Sequence, residues 1–148
     1  MPDITEEFIT RRLGEALEPS TEDSDWSESE PDTSRPAAIL IPLFFANDDD
    51  RQNHSWQILL TRRAEAVAEH QGQVAFPGGR SEPSDLTPES TALREAHEEI
   101  GLAPAHVTIL GRMNRLRTIT NYCVTPIVGV IPWPFPIRLE EIEVSRVF

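Results

Sequence analysis

Lysine is absent from this chain of 148 residues: all thirteen basic residues are arginine, and they face 25 acids for a formal net charge of −12. That balance argues against attachment to DNA or RNA, where sequence-independent affinity comes from neutralising phosphates with surface cations. Cysteine occurs once, as Cys123, which excludes a disulfide framework and a thiolate metal site. No apolar run approaches the roughly 18 residues that a membrane span needs. The first residues, Met1-Pro-Asp-Ile-Thr-Glu-Glu, are acidic where a secretory leader is basic, and no apolar core follows them. The expectation is a soluble protein of a reducing cytoplasm, with neither nucleic acid nor membrane as a partner. What is present, 39% hydrophobic and 26% charged residues, is enough to build the core of one domain.

The acid is concentrated. Residues 18–35 carry seven carboxylates against one arginine, with abundant Ser and Pro and a single large apolar residue, Trp26. Such a stretch buries too little to offset ordering entropy, so it reads as a disordered linker without catalytic groups. Before it, Ile4, Phe8, Ile9, Leu13 and Leu17 fall at roughly helical spacing, which predicts a short amphipathic helix over residues 5–17. After it, residues 36–148 form the main domain. Strands are expected at 37–45, 56–61 and 74–76, with a polar turn at 47–55, and again at 107–110, 115–119 and 122–131. The clearest helix spans 87–100: Thr87 caps it, Pro88 suits its first position, Leu93, Ala96 and Ile100 mark an apolar stripe, and Gly101 stops it. Both element types occur with strands in excess, so the pattern predicts an α+β fold with helices on a mixed sheet.

On that helix Glu95, Glu98 and Glu99 fall within an arc of roughly 100°, beside the apolar stripe. Like charges at this spacing repel, and partial burial raises their pKa values. A divalent cation relieves both penalties, and an all-oxygen ligand set suits a hard ion such as Mg²⁺ or Mn²⁺. The same spacing also suits a plain solvated acidic face. His97 projects away from the glutamates, and Cys123 sits in an apolar strand without a cationic helper, which suits core packing better than nucleophilic work.

The context separates these readings. Gly79, Asp85 and the run Arg94-Glu95-Ala96-His97-Glu98-Glu99-Ile100-Gly101-Leu102 resemble the Nudix box: Gly, five residues, Glu, seven residues, then Arg-Glu-apolar-x-Glu-Glu-x-Gly-apolar. Asp85 replaces the first Glu, and eight residues precede Arg94 where the motif has seven. Upstream, Leu59-Leu60-Thr61, Arg63-Ala64, Gly72 and Phe76-Pro77-Gly78-Gly79 resemble the signature of the coenzyme A pyrophosphatase branch, except that Ala68 stands where it has a second Arg. Thr120-Asn121-Tyr122, residues 124–129 and Glu143-Val144-Ser145 also resemble this branch, so the likeness runs from about Pro36 to Phe148.

The resemblance implies an α/β/α sandwich around a mixed sheet and metal-dependent hydrolysis of a diphosphate linkage, most plausibly in coenzyme A. Another nucleoside diphosphate compound, such as ADP-ribose or a dinucleotide, and a noncatalytic nucleotide-binding module are the alternatives. It implies Glu95, Glu98, Glu99 and the Gly78 carbonyl as metal ligands, with one glutamate helping to deprotonate water. Arg94 orients a carboxylate, Asp85 assists it or caps its loop, and Glu143 is the further carboxylate from outside the box. Arg62, Arg63, His70 and Arg80 are the candidates for substrate contact. Members of this branch usually continue past the position of Phe148, so a shortened chain and completion by a homodimer are both open.

Overall fold

The computed structural model describes residues 4–16, 33–48, 53–65 and 72–148. The linker residues 18–32, Ala68 and His70 therefore lie outside the described residues, and so do the expectations placed on them.

The backbone of the fold is the pairing of two apolar segments. Strand β1 (Arg35–Asp48) runs parallel to β8 (Tyr122–Val130), from Arg35 beside Tyr122 to Leu43 beside Val130. Along its outer edge β1 holds two antiparallel partners in succession, β5 (Gly78–Arg80) and β2 (Asn53–Ile58). Across β8 lie β6 (Thr108–Arg112) and β7 (Leu116–Arg117), completing a mixed sheet of six strands. A second sheet of three strands joins β4 (Val74–Ala75), β3 (Thr61–Arg63) and β9 (Val144–Val147).

Two differences from the sequence reading matter for the site. The run 56–61 is not one strand: β2 ends at Ile58, Leu59 turns inward to 1% exposure, and Thr61 begins β3 in the other sheet. The polar turn is correspondingly shorter, because β1 persists to Asp48 and β2 starts at Asn53. Gly78-Gly79 forms the body of β5, with Ile39 opposite Gly78 and Ala38 opposite Gly79.

Helix α2 (Pro88–Ile100) matches its expected bounds. Thr87 and Ser90 cap each other reciprocally, with Ser90 N donating to Thr87 Oγ1 at 3.2 Å and Thr87 N donating to Ser90 Oγ at 3.0 Å. Gly101 ends the helix at φ 74°, a conformation open to glycine without steric cost. Of the expected stripe, Ala96 and Ile100 are buried and Leu93 is half-buried, and Thr91, Ala92 and Glu99 join the buried face. Small side chains at Ala92 and Ala96 let the helix axis approach the sheet closely.

Ala38, Leu40 and Phe44 of β1 and Ile127 of β8 meet Ala92, Ala96 and Ile100 in one apolar cluster. Successive strand residues alternate between faces, so Ile41 and Val128 point the other way. There Gly111, opposite Val128, lies under Leu13 of α1 (Glu6–Ala16), and the Trp56 indole donates to the Ile4 carbonyl at 2.7 Å. Helix α1 thus lies on the face opposite α2, giving the three layers of an α/β/α sandwich. It buries none of its own residues completely. Glu89 in the first turn of α2 is tied to Arg112 of β6, anchoring the helix start to the sheet edge.

The two layers should differ in weight. Leu40→Ala is expected to lower the unfolding free energy by about 2–5 kcal/mol through lost burial and a cavity, and Leu13→Ala by less than about 1 kcal/mol. Urea melts of the two variants check this, and equal losses would place the core wrongly.

Candidate active site

Strand β5 ends one residue before the loop that leads to α2, and its pairing with β1 sets Gly78-Gly79 directly beneath the helix. A β-carbon on Gly79 would stand 2.5 Å from Glu95 Oε1, so only glycine leaves room for that carboxylate. Gly78 N donates to Glu99 Oε2 at 3.2 Å. Glu99 is 5% exposed, and burial pushes its carboxyl up to about 8, helped by the charges of Glu95 and Glu143 and opposed by the Gly78 N–H and by Arg63. Glu95 is also shifted upward, first by burial, against the pull of Arg94. Glu98, one residue from Glu99, remains exposed.

Arg94 organises this face. Its Nη1 lies 3.1 Å from Glu98 Oε2 and 3.1 Å from Glu95 Oε1, and its Nη2 donates to the Arg80 carbonyl at 2.9 Å. Its other partner is Asp85, held at 3.0 Å from Nη2 and 3.2 Å from Nε. Asp85 itself accepts from the Glu82 backbone N–H at 2.9 Å and from the Thr91 hydroxyl at 3.0 Å, while that hydroxyl also meets Ser81. Asp85 therefore caps its loop and braces Arg94 at once. Thr91 and Ser81, which sequence reasoning passed over, complete the brace. Nothing in a Ser or Thr of a helix start advertises such a role before the loop geometry is known.

The small sheet supplies what the helix lacks. Ala64 N donates to the Glu143 carbonyl at 2.8 Å, holding the residue just before β9 against the end of β3. Glu143 comes near enough to raise both Glu95 and Glu99. Arg63 sends its charge toward Glu99, and its Nε is buried with no hydrogen-bond partner among the described residues. Arg62 faces the other way, as strand alternation requires, and its Nε donates to the Gly72 carbonyl at 3.3 Å. Arg62 thus stands apart from the glutamates. Arg80 does too: only its carbonyl meets Arg94, and its guanidinium lies over Tyr122 on the opposite face of the sheet.

As metal ligands the four implied groups are not gathered. Among the described residues no three His, Cys, Asp or Glu side chains converge closely enough to hold an ion. Arg94 draws Glu95 and Glu98 to itself, and Gly78 presents its N–H to Glu99, where the expectation was its carbonyl. The donor chemistry still fits a hard divalent cation. The side-chain donors are carboxylates on one helix face, and burial first, with neighbouring negative charge, raises the pKa values of Glu95 and Glu99.

A sequence profile of the NUDIX domain matches residues 34–129. The chain belongs to the Nudix family. A relative within it, the uncharacterized Nudix hydrolase NudL of Yersinia pestis strain Pestoides F, is 42% identical over 116 residues, covering 78% of this chain and 55% of that protein. The chain thus spans about half the length of the curated relatives it matches. Among solved structures, a Nudix hydrolase of M. smegmatis, RenU, superposes with a TM-score of 0.63 at 22% identity, covering 78% of this chain and 69% of the other. An Ap4A hydrolase of C. elegans gives 0.60 at 18% identity, with 76% of each chain covered. These likenesses establish the Nudix fold, with its three layers. No described helix of this Nudix chain is long and apolar enough to cross a membrane.

The brace has a pH signature. The Arg94 guanidinium holds Asp85 at about 2, below its ordinary 3.8. The folded protein therefore binds fewer protons there than the unfolded chain, so this stabilisation is present above pH 3.8 and fades as pH falls toward 2. Asp85→Asn should cost about 1–3 kcal/mol at neutral pH. In melts taken at falling pH the gap to the parent should close over that window; a gap that stays constant would contradict the assignment.

Proposed function

We propose that this chain hydrolyses a diphosphate linkage with the help of a divalent cation, Mg²⁺ or Mn²⁺, and that the linkage lies in coenzyme A or a derivative. The products are 4′-phosphopantetheine and adenosine 3′,5′-bisphosphate. The observation that carries this reading is the buried Glu99 carboxyl, held out of water on the helix face it shares with Glu95 and raised further by the charges of Glu95 and of Glu143 ahead of β9.

In this reading Glu95, Glu98 and Glu99 hold the cation, which when bound neutralises phosphate oxygens and favours ionisation of water. The chain's own work is positional. Arg94, fixed by Asp85 and the Arg80 carbonyl, sets the angles of Glu95 and Glu98. Arg63, whose buried Nε has no hydrogen-bond partner among the described residues, turns its guanidinium fork to a substrate phosphate. A carboxylate of the group accepts the proton of the attacking water. Water adds at phosphorus, the anhydride P–O bond breaks, and the leaving phosphate takes the electron pair. No covalent enzyme intermediate is required.

The Leu59-Leu60-Thr61 to Phe76-Pro77-Gly78-Gly79 signature favours coenzyme A, while Ala68 in place of its second arginine favours ADP-ribose or a dinucleotide. A panel of coenzyme A, ADP-ribose and a dinucleoside polyphosphate, assayed with and without Mg²⁺, decides between them. Coenzyme A should be turned over fastest and only with the ion. Glu98→Gln and Glu99→Gln should each cut turnover by at least about 10²-fold with the fold retained by circular dichroism. Near-normal activity of both variants at low Mg²⁺ would refute the ligand assignment, and a preference for ADP-ribose would refute the substrate.

A further inference from the structure

The turn at Thr120-Asn121-Tyr122 and the two arginines beside it have no part in the chemistry above, yet they are firmly built. Asn121 adopts φ 63°, and its side chain donates to the Thr33 carbonyl at 3.3 Å. Thr118 Oγ1 accepts from Tyr122 N at 3.1 Å, and Asn121 O accepts from Arg35 N at 2.9 Å. This lashes the start of β1 to the start of β8. On that base the Arg35 guanidinium lies 4.3 Å from the centre of the Tyr122 ring and that of Arg80 lies 5.5 Å away. Arg35 has one further contact, Nη2 donating to the Thr120 carbonyl at 3.4 Å. Among the described residues neither arginine lies within ion-pair distance of a carboxylate. In a chain of net charge −12, two uncompensated guanidiniums steadied on one ring form a local anion-attracting patch.

Its place relative to the glutamates is set by register. Arg35 pairs with Tyr122 and Arg80 with Ala37, so all three side chains emerge on one face, at one end of the sheet. Gly79, the neighbour of Arg80, lies under Glu95 on the other face. Strand β5 pairs only with β1 among the described residues, and on its outer side Gly78 N meets Glu99 and the Arg80 carbonyl meets Arg94. Consecutive residues of β5 thus set Glu95 and the arginine patch on opposite faces of the sheet within a single residue of backbone.

We infer that Arg35, Arg80 and Tyr122 form a subsite for a phosphate monoester carried by the nucleoside half of the substrate, at a distance from the linkage that is cut. This rests on the proposed diphosphatase reading, whose substrate bears such a group as the 3′-phosphate. Guanidinium forks match a dianionic monoester in charge and geometry, and the Tyr122 ring keeps them in place before the ligand arrives.

The test compares coenzyme A with its analogue lacking the 3′-phosphate, and adenosine 3′,5′-bisphosphate with AMP. Arg35→Gln should raise KM for coenzyme A about tenfold, leave kcat within about threefold, and leave KM for the analogue unchanged, the loss expected of one charge-assisted contact. By calorimetry without metal, the parent should bind the bisphosphate about tenfold more tightly than AMP, and Arg35→Gln and Arg80→Gln should each abolish that preference. Arg35→Lys should recover part of it. An unchanged preference in Arg35→Gln, or equal rises in KM for both substrates, overturns the subsite while the diphosphatase reading stands. Conversely, loss of bisphosphate binding in a chain that cuts no diphosphate upholds the subsite and removes the reaction.

Discussion

A carboxyl group buried in an apolar cluster is the constraint on which the rest of this structure turns. Glu99 sits between Ala96 and Ile100, at 5% exposure, with one backbone N–H as its hydrogen-bond donor. Burial penalises its ionised form and raises its pKa, which no ordinary helix position would tolerate without a return. Much nearby accommodates it. Gly78 offers its N–H, Gly79 leaves space for Glu95, and Ala92 and Ala96 let the helix settle deeply enough to bury the site. The second sheet then brings Arg63, whose positive charge offsets part of the penalty, and Glu143, whose charge adds to it. The arrangement is costly as a fold.

Sequence revealed the parts of this design that are local. Thr87, Pro88 and Gly101 fix the ends of α2 through chemistry within a few residues, and the helical period alone places Glu95, Glu98 and Glu99 on one face. What depended on distant pairing was hidden. Nothing local in Gly78-Gly79 announces a strand, and only β1, far away in sequence, makes it one. The apolar continuity of Leu59-Leu60 conceals the passage from one sheet to another. Arg62 and Arg63 are indistinguishable until β3 has a register, which then sends Arg62 to Gly72 and Arg63 to Glu99. Arg35 closes a stretch so acidic that it read as linker, yet it opens β1 and stacks on Tyr122.

Charge is distributed to match. The protein is strongly acidic overall, and its arginines are placed locally: Arg63 acts on Glu99, while Arg35 and Arg80 lie over Tyr122 on the other face of the sheet. Helix α1 shields part of the sheet face that carries Arg35 and Arg80, without burying any residue of its own.

The most direct test of the account is whether the carboxylate group binds a hard cation at all, independently of turnover. Electron paramagnetic resonance of Mn²⁺ added to the protein should show saturable loss of free-ion signal, reversed by excess Mg²⁺. Glu99→Gln should weaken that binding by at least about tenfold, because a charged oxygen donor is removed from the set. Binding of equal strength in Glu99→Gln, or none in the parent protein, would contradict the view that this buried carboxyl is kept for a cation.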